Sequence, residues 1–157
     1  MQTPCHTCTL RFQPFAAPDG WPPAKIVFHG EAPGTEEAKQ GTVFCGRSGQ
    51  LLRQTIAQAG FRPQDYLILN TVLCHPPDNR IPTQDERQHC SGHHRELLLQ
   101  ASPAVIVTLG NTALETITGL TKITERRGVP FQHHGQWIYP TYHPEFFLRK
   151  TTSNPVF

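Results

Sequence analysis

The chain has 157 residues, of which 37% are hydrophobic and 17% charged, with a mean hydropathy of −0.41. This length suits one hydrophobic core, so we expect a single domain over residues 1–157. No apolar run is long enough to cross a bilayer, and the N-terminus lacks the pattern of a secretory signal, which favours a cytoplasmic protein. The net charge of +2 permits nucleic-acid binding without requiring it.

Short β-prone runs alternate with helical patterns along the chain. In chain order, the predicted elements are a strand at 25–29, a helix from Ser48 to a stop at Gly60, a strand at 66–69, a helix from 84 to about 100, a strand at 104–109, a short helix at 111–117 capped by Asn111, and a strand at 137–141. The second predicted helix is marked by a capping box, Thr83 to Glu86. This alternation predicts a three-layer α/β/α sandwich with a central, mostly parallel four-stranded sheet.

Polar side chains follow three of the predicted strands. Glu31 comes after the first strand, Asn70 after the second and His143 after the last. The carboxyl ends of parallel strands meet at one edge of a sheet, where ligands bind in this class of fold. We therefore expect these residues to line one cleft.

The five cysteines indicate a metal site. In a reducing compartment they are unlikely to form disulfides, and Cys5-x-x-Cys8 can direct two sulfurs to one metal. Cys74 and Cys90 form a second pair, around a Pro-Pro turn and a helix start. Spacing alone does not separate zinc from an iron–sulfur cluster, and buried apolar cysteines with an unattached tail are the alternative. Cys45 is expected to be structural.

Three longer stretches carry a family resemblance. Residues 30–52 (GEAPGTEEAKQGTVFCGRSGQLL), 70–90 (NTVLCHPPDNRIPTQDERQHC) and 140–150 (PTYHPEFFLRK) resemble the motifs of the type 4, iron–sulfur uracil-DNA glycosylases. The N-terminal CHTC completes that family's four-cysteine pattern. The resemblance implies a DNA-repair enzyme that flips uracil out of DNA and hydrolyses its N-glycosidic bond by a dissociative route, leaving an abasic site.

The same resemblance implies the cofactor. Cys5, Cys8, Cys74 and Cys90 match the ligands of a 4Fe–4S cluster, with zinc as the less favoured occupant. Every bond-breaking role has another candidate residue, so the cluster is expected to be structural.

Base-contacting residues also follow from the resemblance. Phe44 matches the aromatic residue that stacks on uracil, and Ala32 lies in the same predicted pocket. Asn70 matches the residue that reads the base edge, because its amide can pair with O4 and N3–H at once. Without the motifs, Phe44 would be read as core and Asn70 as a turn residue.

Catalytic roles are implied for three residues. Breaking the bond builds positive charge on the sugar and negative charge on the base, so a carboxylate and a hydrogen-bond donor would each stabilise one half. Glu31 matches the first role and His143 the second, at uracil O2. Glu37 matches a second carboxylate near the attacking water, although a solvated loop charge is a serious alternative. Ala38 stands where relatives usually carry an acidic residue.

DNA contacts are implied for two segments. Residues 143–150 resemble a loop that enters the minor groove, where Phe147 or Leu148 would fill the vacated stack and Arg149 would meet phosphate. Ser48, at a helix N-terminus, would bind another phosphate. Relatives usually carry a final helix after this loop.

The expected partner is uracil-containing DNA, single- or double-stranded, bound by a monomer near the nucleoid and not at a membrane. Two alternatives remain open from the residues. The chain could be a non-catalytic iron–sulfur module that binds DNA or a protein, or a glycosylase specific for another damaged base.

Overall fold

A computed structural model describes residues 4–153, with side chains for residues 5–150. Its centre is one sheet of five strands in the order β2-β1-β3-β5-β4. The strands are β1 (Ile26–Gly30), β2 (Tyr66–Asn70), β3 (Val105–Leu109), β4 (Phe131–His133) and β5 (Gln136–Thr141). All neighbouring pairs are parallel except β4 with β5.

The prediction of four strands was wrong by one. β4 has only three residues, too few to show a period, and it forms an antiparallel hairpin with β5. The turn consists of His134 and Gly135, both with positive φ, as a two-residue hairpin of the primed type requires. Gly135 between two β-prone runs was the signal that could have revealed this strand.

Helices cover both faces of the sheet, so the α/β/α architecture is confirmed. The helices are α1 (Thr35–Gln40), α2 (Arg47–Gln58), α3 (Gln84–Ala101), α4 (Asn111–Thr118), α5 (Ile123–Arg126) and α6 (Pro144–Ser153). Leu52 and Ile56 of α2 pack on the face that carries Phe28 and Ile68. On the other face, side chains of α3 and α4 cover a cluster that includes Val27, Leu67 and Ile106.

Helix boundaries confirm some predictions and correct others. The capping box of α3 is present, with Thr83 accepting from the Glu86 N–H and the Glu86 carboxylate accepting from the Thr83 N–H. Asn111 is the first residue of α4, and the cap before it is Gly110. The short helices α1 and α5 were not predicted. A membrane-spanning helix would need a longer, more apolar segment than any helix among the described residues provides.

The loop predicted for residues 143–150 is a helix. α6 begins at Pro144, whose fixed φ and missing N–H suit the first position of a helix, and Glu145 lies in its first turn. These helix-start signals are visible in the sequence, and the loop prediction for this segment was wrong.

Two buried histidines join the sheet to α3. His29 on β1 is fully buried, and its ring meets that of His94 edge-on, with centroids 5.3 Å apart. His29 Nε2 lies 3.0 Å from Thr71 Oγ1, whereas the ring nitrogens of His94 have no partner among the described residues. Burial lowers the pKa of His94 to about 4 and lowers the pKa of His29 well below its usual value. Both rings are therefore neutral in the folded protein near neutral pH.

The buried His29–His94 pair should make the folded protein less stable at acidic pH. Between pH 6.5 and about pH 4 the unfolded chain protonates His94 while the folded protein does not, so stability falls as pH falls through this window. A His94→Leu variant is expected to lose stability less steeply there, as measured by the thermal unfolding midpoint across the pH range.

His134→Asn provides the matched control, because His134 is an exposed turn residue whose positive φ suits asparagine. Its pH profile should overlay that of the wild type. A His94→Leu profile parallel to the wild type would contradict the role given to this buried pair.

Candidate functional site

The carboxyl ends of β1, β2, β3 and β5 open into one cavity of about 680 Å³. Because these strands are mutually parallel, the residues that follow them meet at the same edge of the sheet. The cavity lining includes eight of the predicted site residues: Glu31, Ala32, Glu37, Phe44, Ser48, Asn70, His143 and Arg149. Segments up to 118 residues apart in sequence thus contribute to a single site.

A close approach at Gly30 shapes the floor of this cavity. A Cβ placed on Gly30 would lie 2.5 Å from Asn70 Oδ1 and 2.6 Å from Phe44 Cζ. Real carbon atoms do not approach so closely, so the end of β1 must be glycine for these two side chains to lie over it.

Phe44 is buried, with 4% of its surface exposed, and its ring centroid lies 5.7 Å from that of His143. Its backbone has a φ of +50°, a left-handed conformation that is unusual for an aromatic residue. A Cβ on Gly49 would clash with the Phe44 carbonyl, so the first turn of α2 presses directly against this residue. The ring is thereby held at the cavity wall.

Asn70 is 1% exposed, and its Oδ1 has no hydrogen-bond partner among the described residues. A buried amide oxygen without a partner is costly, and a ligand N–H would satisfy it. Since Asn70 also lines the cavity, its side chain is suited to bind a ring that presents both a donor and an acceptor.

Glu31 accepts a hydrogen bond from the Thr112 hydroxyl through Oε2. Thr112 is a buried residue in the first turn of α4, so the start of this helix orients the carboxylate that follows β1. Sequence reasoning missed Thr112. It follows β3 closely, and the search for polar residues after strands could have included it.

His143 is oriented by the backbone of α6. The Glu145 N–H donates to its Nδ1 at 3.2 Å, so that nitrogen carries no proton and the Nε2 carries it. Burial lowers the pKa of His143, although the Glu31 carboxylate acts in the opposite direction. The ring is therefore neutral near pH 7 and offers its Nε2–H as a donor.

Glu37 on α1 accepts from the Gly46 N–H at 2.9 Å through Oε1. This bond ties α1 to the loop that carries Phe44. Glu37 is half-buried and lines the cavity, so it is not a solvated loop charge. Ala32 lines the cavity and also packs against the cysteine-bearing cluster behind it.

Residues predicted to bind DNA fall into two groups. Ser48 and Arg149 line the cavity, and the Ser48 hydroxyl donates to Glu145 Oε2 at 2.6 Å, which joins α2 to α6. Phe147 is half-exposed on α6 beside Tyr142 and Phe146, and neither it nor Leu148 belongs to the cavity lining. Glu145 is a second site residue that sequence reasoning did not identify.

The four predicted ligand cysteines come from segments that pack together. Cys8 and Cys90 are buried in one cluster with Leu10 and Val72, and Cys74 packs against it. Cys5 is exposed, and its Sγ lies 3.3 Å from His93 Nε2.

Two of these thiols, Cys74 and Cys90, have raised pKa values. Burial raises the pKa of Cys90 to about 11, with repulsion from Cys74, Cys8 and Cys5 adding to it. Burial, followed by repulsion from Cys8 and Cys5, also raises the pKa of Cys74. Cationic iron would remove this penalty, so the donor set fits a thiolate-bound metal group. Among the described side chains, however, no three potential ligands are arranged to hold a metal ion.

A family model described as the uracil DNA glycosylase superfamily matches residues 17–157. A type-4 uracil-DNA glycosylase of Thermotoga maritima is 44% identical over 135 residues, covering 82% of this chain and 69% of that protein. Type-4 uracil-DNA glycosylases of Sulfurisphaera tokodaii and Archaeoglobus fulgidus are 36% and 37% identical, covering 89% and 80% of this chain and 69% and 67% of those proteins. The chain therefore belongs to the uracil-DNA glycosylase superfamily, within its type-4 group.

Proposed function

We propose that this protein is a DNA-repair glycosylase that hydrolyses the N-glycosidic bond of uracil in DNA and leaves an abasic site. The observation that carries the proposal is the buried amide of Asn70, whose Oδ1 has no partner, beside the ring of Phe44 in a cavity that also holds Glu31 and His143. Similarity to relatives named type-4 uracil-DNA glycosylases supports it.

Base recognition follows from two of these side chains. A flipped uracil would stack on the Phe44 ring, while Asn70 would accept from N3–H through Oδ1 and donate to O4 through its amino group. Cytosine carries an amino group at the position of O4 and has no N3–H. The cytosine amino group would therefore face the amino group of Asn70, and two donors cannot form a hydrogen bond.

Bond cleavage would be assisted by one hydrogen-bond donor and one carboxylate. His143 would donate its Nε2–H to uracil O2, where negative charge develops as the base departs. The Glu31 carboxylate, oriented by Thr112, would stabilise the positive charge on the sugar and orient the attacking water. Glu37 would act mainly by positioning the Phe44 loop, because its Oε1 already accepts from Gly46.

For DNA binding, Ser48 and Arg149 would lie next to the flipped nucleotide's phosphates. Phe147 and Leu148 on α6 would contact the duplex beside the cavity. Single- or double-stranded uracil-containing DNA is the proposed partner of a monomeric protein, and a nucleoid-associated location in the cytoplasm stays a prediction.

For the cysteines we propose a 4Fe–4S cluster held by Cys5, Cys8, Cys74 and Cys90. When bound, such a group would fix the N-terminal segment to the start of α3 and supply no electrons to the hydrolysis. Ala32 connects these cysteines to the cavity, because it packs against the hydrophobic cluster that contains Cys8 and Cys90 and also lines the cavity.

The direct test is an assay of abasic-site formation on uracil-containing oligonucleotides, single- and double-stranded, with protein purified anaerobically. Matched cytosine and thymine oligonucleotides are the controls. Binding to DNA without abasic sites would instead support a non-catalytic module, and cleavage of another lesion alone would support a different base specificity.

Substitution of the two charge-stabilising residues should slow catalysis. We expect Glu31→Gln and His143→Ala each to lower kcat by about a hundredfold or more, because each removes an interaction that strengthens in the transition state. Single-turnover assays would measure this. The control Glu96→Gln, at an exposed position on α3, should leave kcat unchanged; wild-type rates for either site variant would refute the assignment.

Asn70→Asp should weaken uracil selection. An aspartate cannot donate to O4, and leaving that pairing unmade costs about 1–3 kcal/mol, so uracil cleavage should fall by about tenfold or more. The ratio of rates on uracil and cytosine oligonucleotides is the measurement. An unchanged ratio would show that another residue reads the base.

Loss of one cysteine should remove the iron. Cys90→Ser is expected to abolish the visible absorbance of the purified protein and to lower its iron content and thermal unfolding midpoint. Cys45→Ser is the control, because Cys45 lies outside the four-cysteine cluster and should retain full iron content. Normal iron content in the Cys90 variant would contradict the ligand assignment. Stoichiometric zinc in the wild-type protein would show that the four cysteines hold zinc and not an iron–sulfur cluster.

A further inference from the structure

The backbone at Phe44 is held by the side chain of Arg53. Arg53, in the second turn of α2, donates from Nε to the Phe44 carbonyl at 2.9 Å and from one terminal nitrogen to the Val43 carbonyl at 3.0 Å. The other terminal nitrogen donates to the Asp19 carboxylate. One planar guanidinium thus binds two consecutive backbone carbonyls and one acid, which its fork of donors allows.

The backbone at this point needs such support. Phe44 has a φ of +50°, a conformation that costs a residue with a side chain about 1 kcal/mol or more relative to the right-handed region. Contacts around it must supply that energy. Arg53 does so on the carbonyl side, while the glycine at position 49 leaves room for the same carbonyl against α2.

Asp19 connects this arrangement to the sheet. Its N–H donates to the Ile68 carbonyl at 2.9 Å, and the Ile68 N–H donates to the Asp19 carbonyl at 2.8 Å, so residue 19 pairs with β2 as a strand would. The edge of the sheet that ends in Asn70 is therefore linked through Asp19 and Arg53 to the loop that ends in Phe44.

We propose that Arg53 is a positioning residue that sets the distance between the Phe44 ring and the Asn70 amide, and so determines how tightly a planar base is held. The proposal rests on the proposed function, in which Phe44 stacks on uracil. Arg53 touches neither the base nor the sugar in this scheme and acts through the backbone of residues 43 and 44.

A simple ion pair would behave differently. The Arg53 and Asp19 side chains are 31% and 44% exposed, and pairs with that much solvent contact contribute little to stability. If the ion pair were all that mattered, Arg53→Lys would keep it and restore wild-type behaviour. If the two carbonyl bonds matter, lysine should fail, because a single ammonium cannot reproduce the guanidinium fork.

The first measurement is inhibition by free uracil of cleavage of a uracil-containing oligonucleotide. We expect Arg53→Gln and Arg53→Lys each to raise the inhibition constant by about tenfold, part of what base–aromatic stacking contributes. In a Phe44→Leu background, the same Arg53 substitutions should change the constant by less than about twofold, since the ring that Arg53 positions is gone. Arg62→Gln is the control, because Arg62 is an exposed arginine that pairs with Asp65 far from Phe44 in sequence, and it should have no effect.

The second measurement does not depend on activity. The Phe44 ring lies close enough to His143 to shift the NMR signals of its imidazole, so Arg53→Gln and Phe44→Leu should both move those signals, and Arg62→Gln should not. Absence of glycosylase activity in the wild type would defeat the proposed function while leaving this positioning test intact. Wild-type His143 signals in Arg53→Gln, additive effects in the double variant, or full rescue by lysine would each overturn the proposal.

Discussion

The close packing of two segments, those that carry Phe44 and Asn70, over Gly30 is the constraint on which the cavity depends. The Asn70 amide and the Phe44 ring occupy the volume that any side chain at the end of β1 would need. Asn70 and Phe44 are themselves buried, and hydrogen bonds made by a buried amide are stronger than those made in solvent. The same burial lowers the pKa of His143 and keeps its ring neutral.

Two of the side chains proposed for the chemistry are oriented by a neighbouring helix, and a third holds a loop of the site in place. Thr112 of α4 orients Glu31, the backbone of α6 orients His143, and Glu37 of α1 fixes the loop before α2. Preorganised groups of this kind need little rearrangement when charge develops on a substrate, which is the main source of electrostatic catalysis. The strand ends therefore determine where these side chains lie, and the surrounding helices determine how the side chains are oriented.

A second network supports the wall behind the cavity. Glu86 is 1% exposed and accepts from Thr9, from Thr83 and from both terminal nitrogens of Arg80. The bonded Arg80 is the main cause that lowers the pKa of Glu86 to about 2, so the carboxylate stays charged and hydrogen-bonded. Thr9 adjoins Cys8, and α3 carries both Glu86 and Cys90. The hydrogen bonds of Glu86 therefore join the same two segments that contain these cysteines.

The sequence by itself determined the alternation of strands and helices, the capping box of α3 and the placement of Glu31, Asn70 and His143 at or just after the carboxyl ends of strands, because these follow from local periodicity and from parallel topology. The sequence also indicated the family, through motifs that span most of the chain. Only the tertiary structure decided that β4 joins the sheet and that Thr112 and Arg53 support the site. These features depend on contacts between residues distant in sequence, and no local pattern encodes which backbone carbonyl or carboxylate a given side chain will reach.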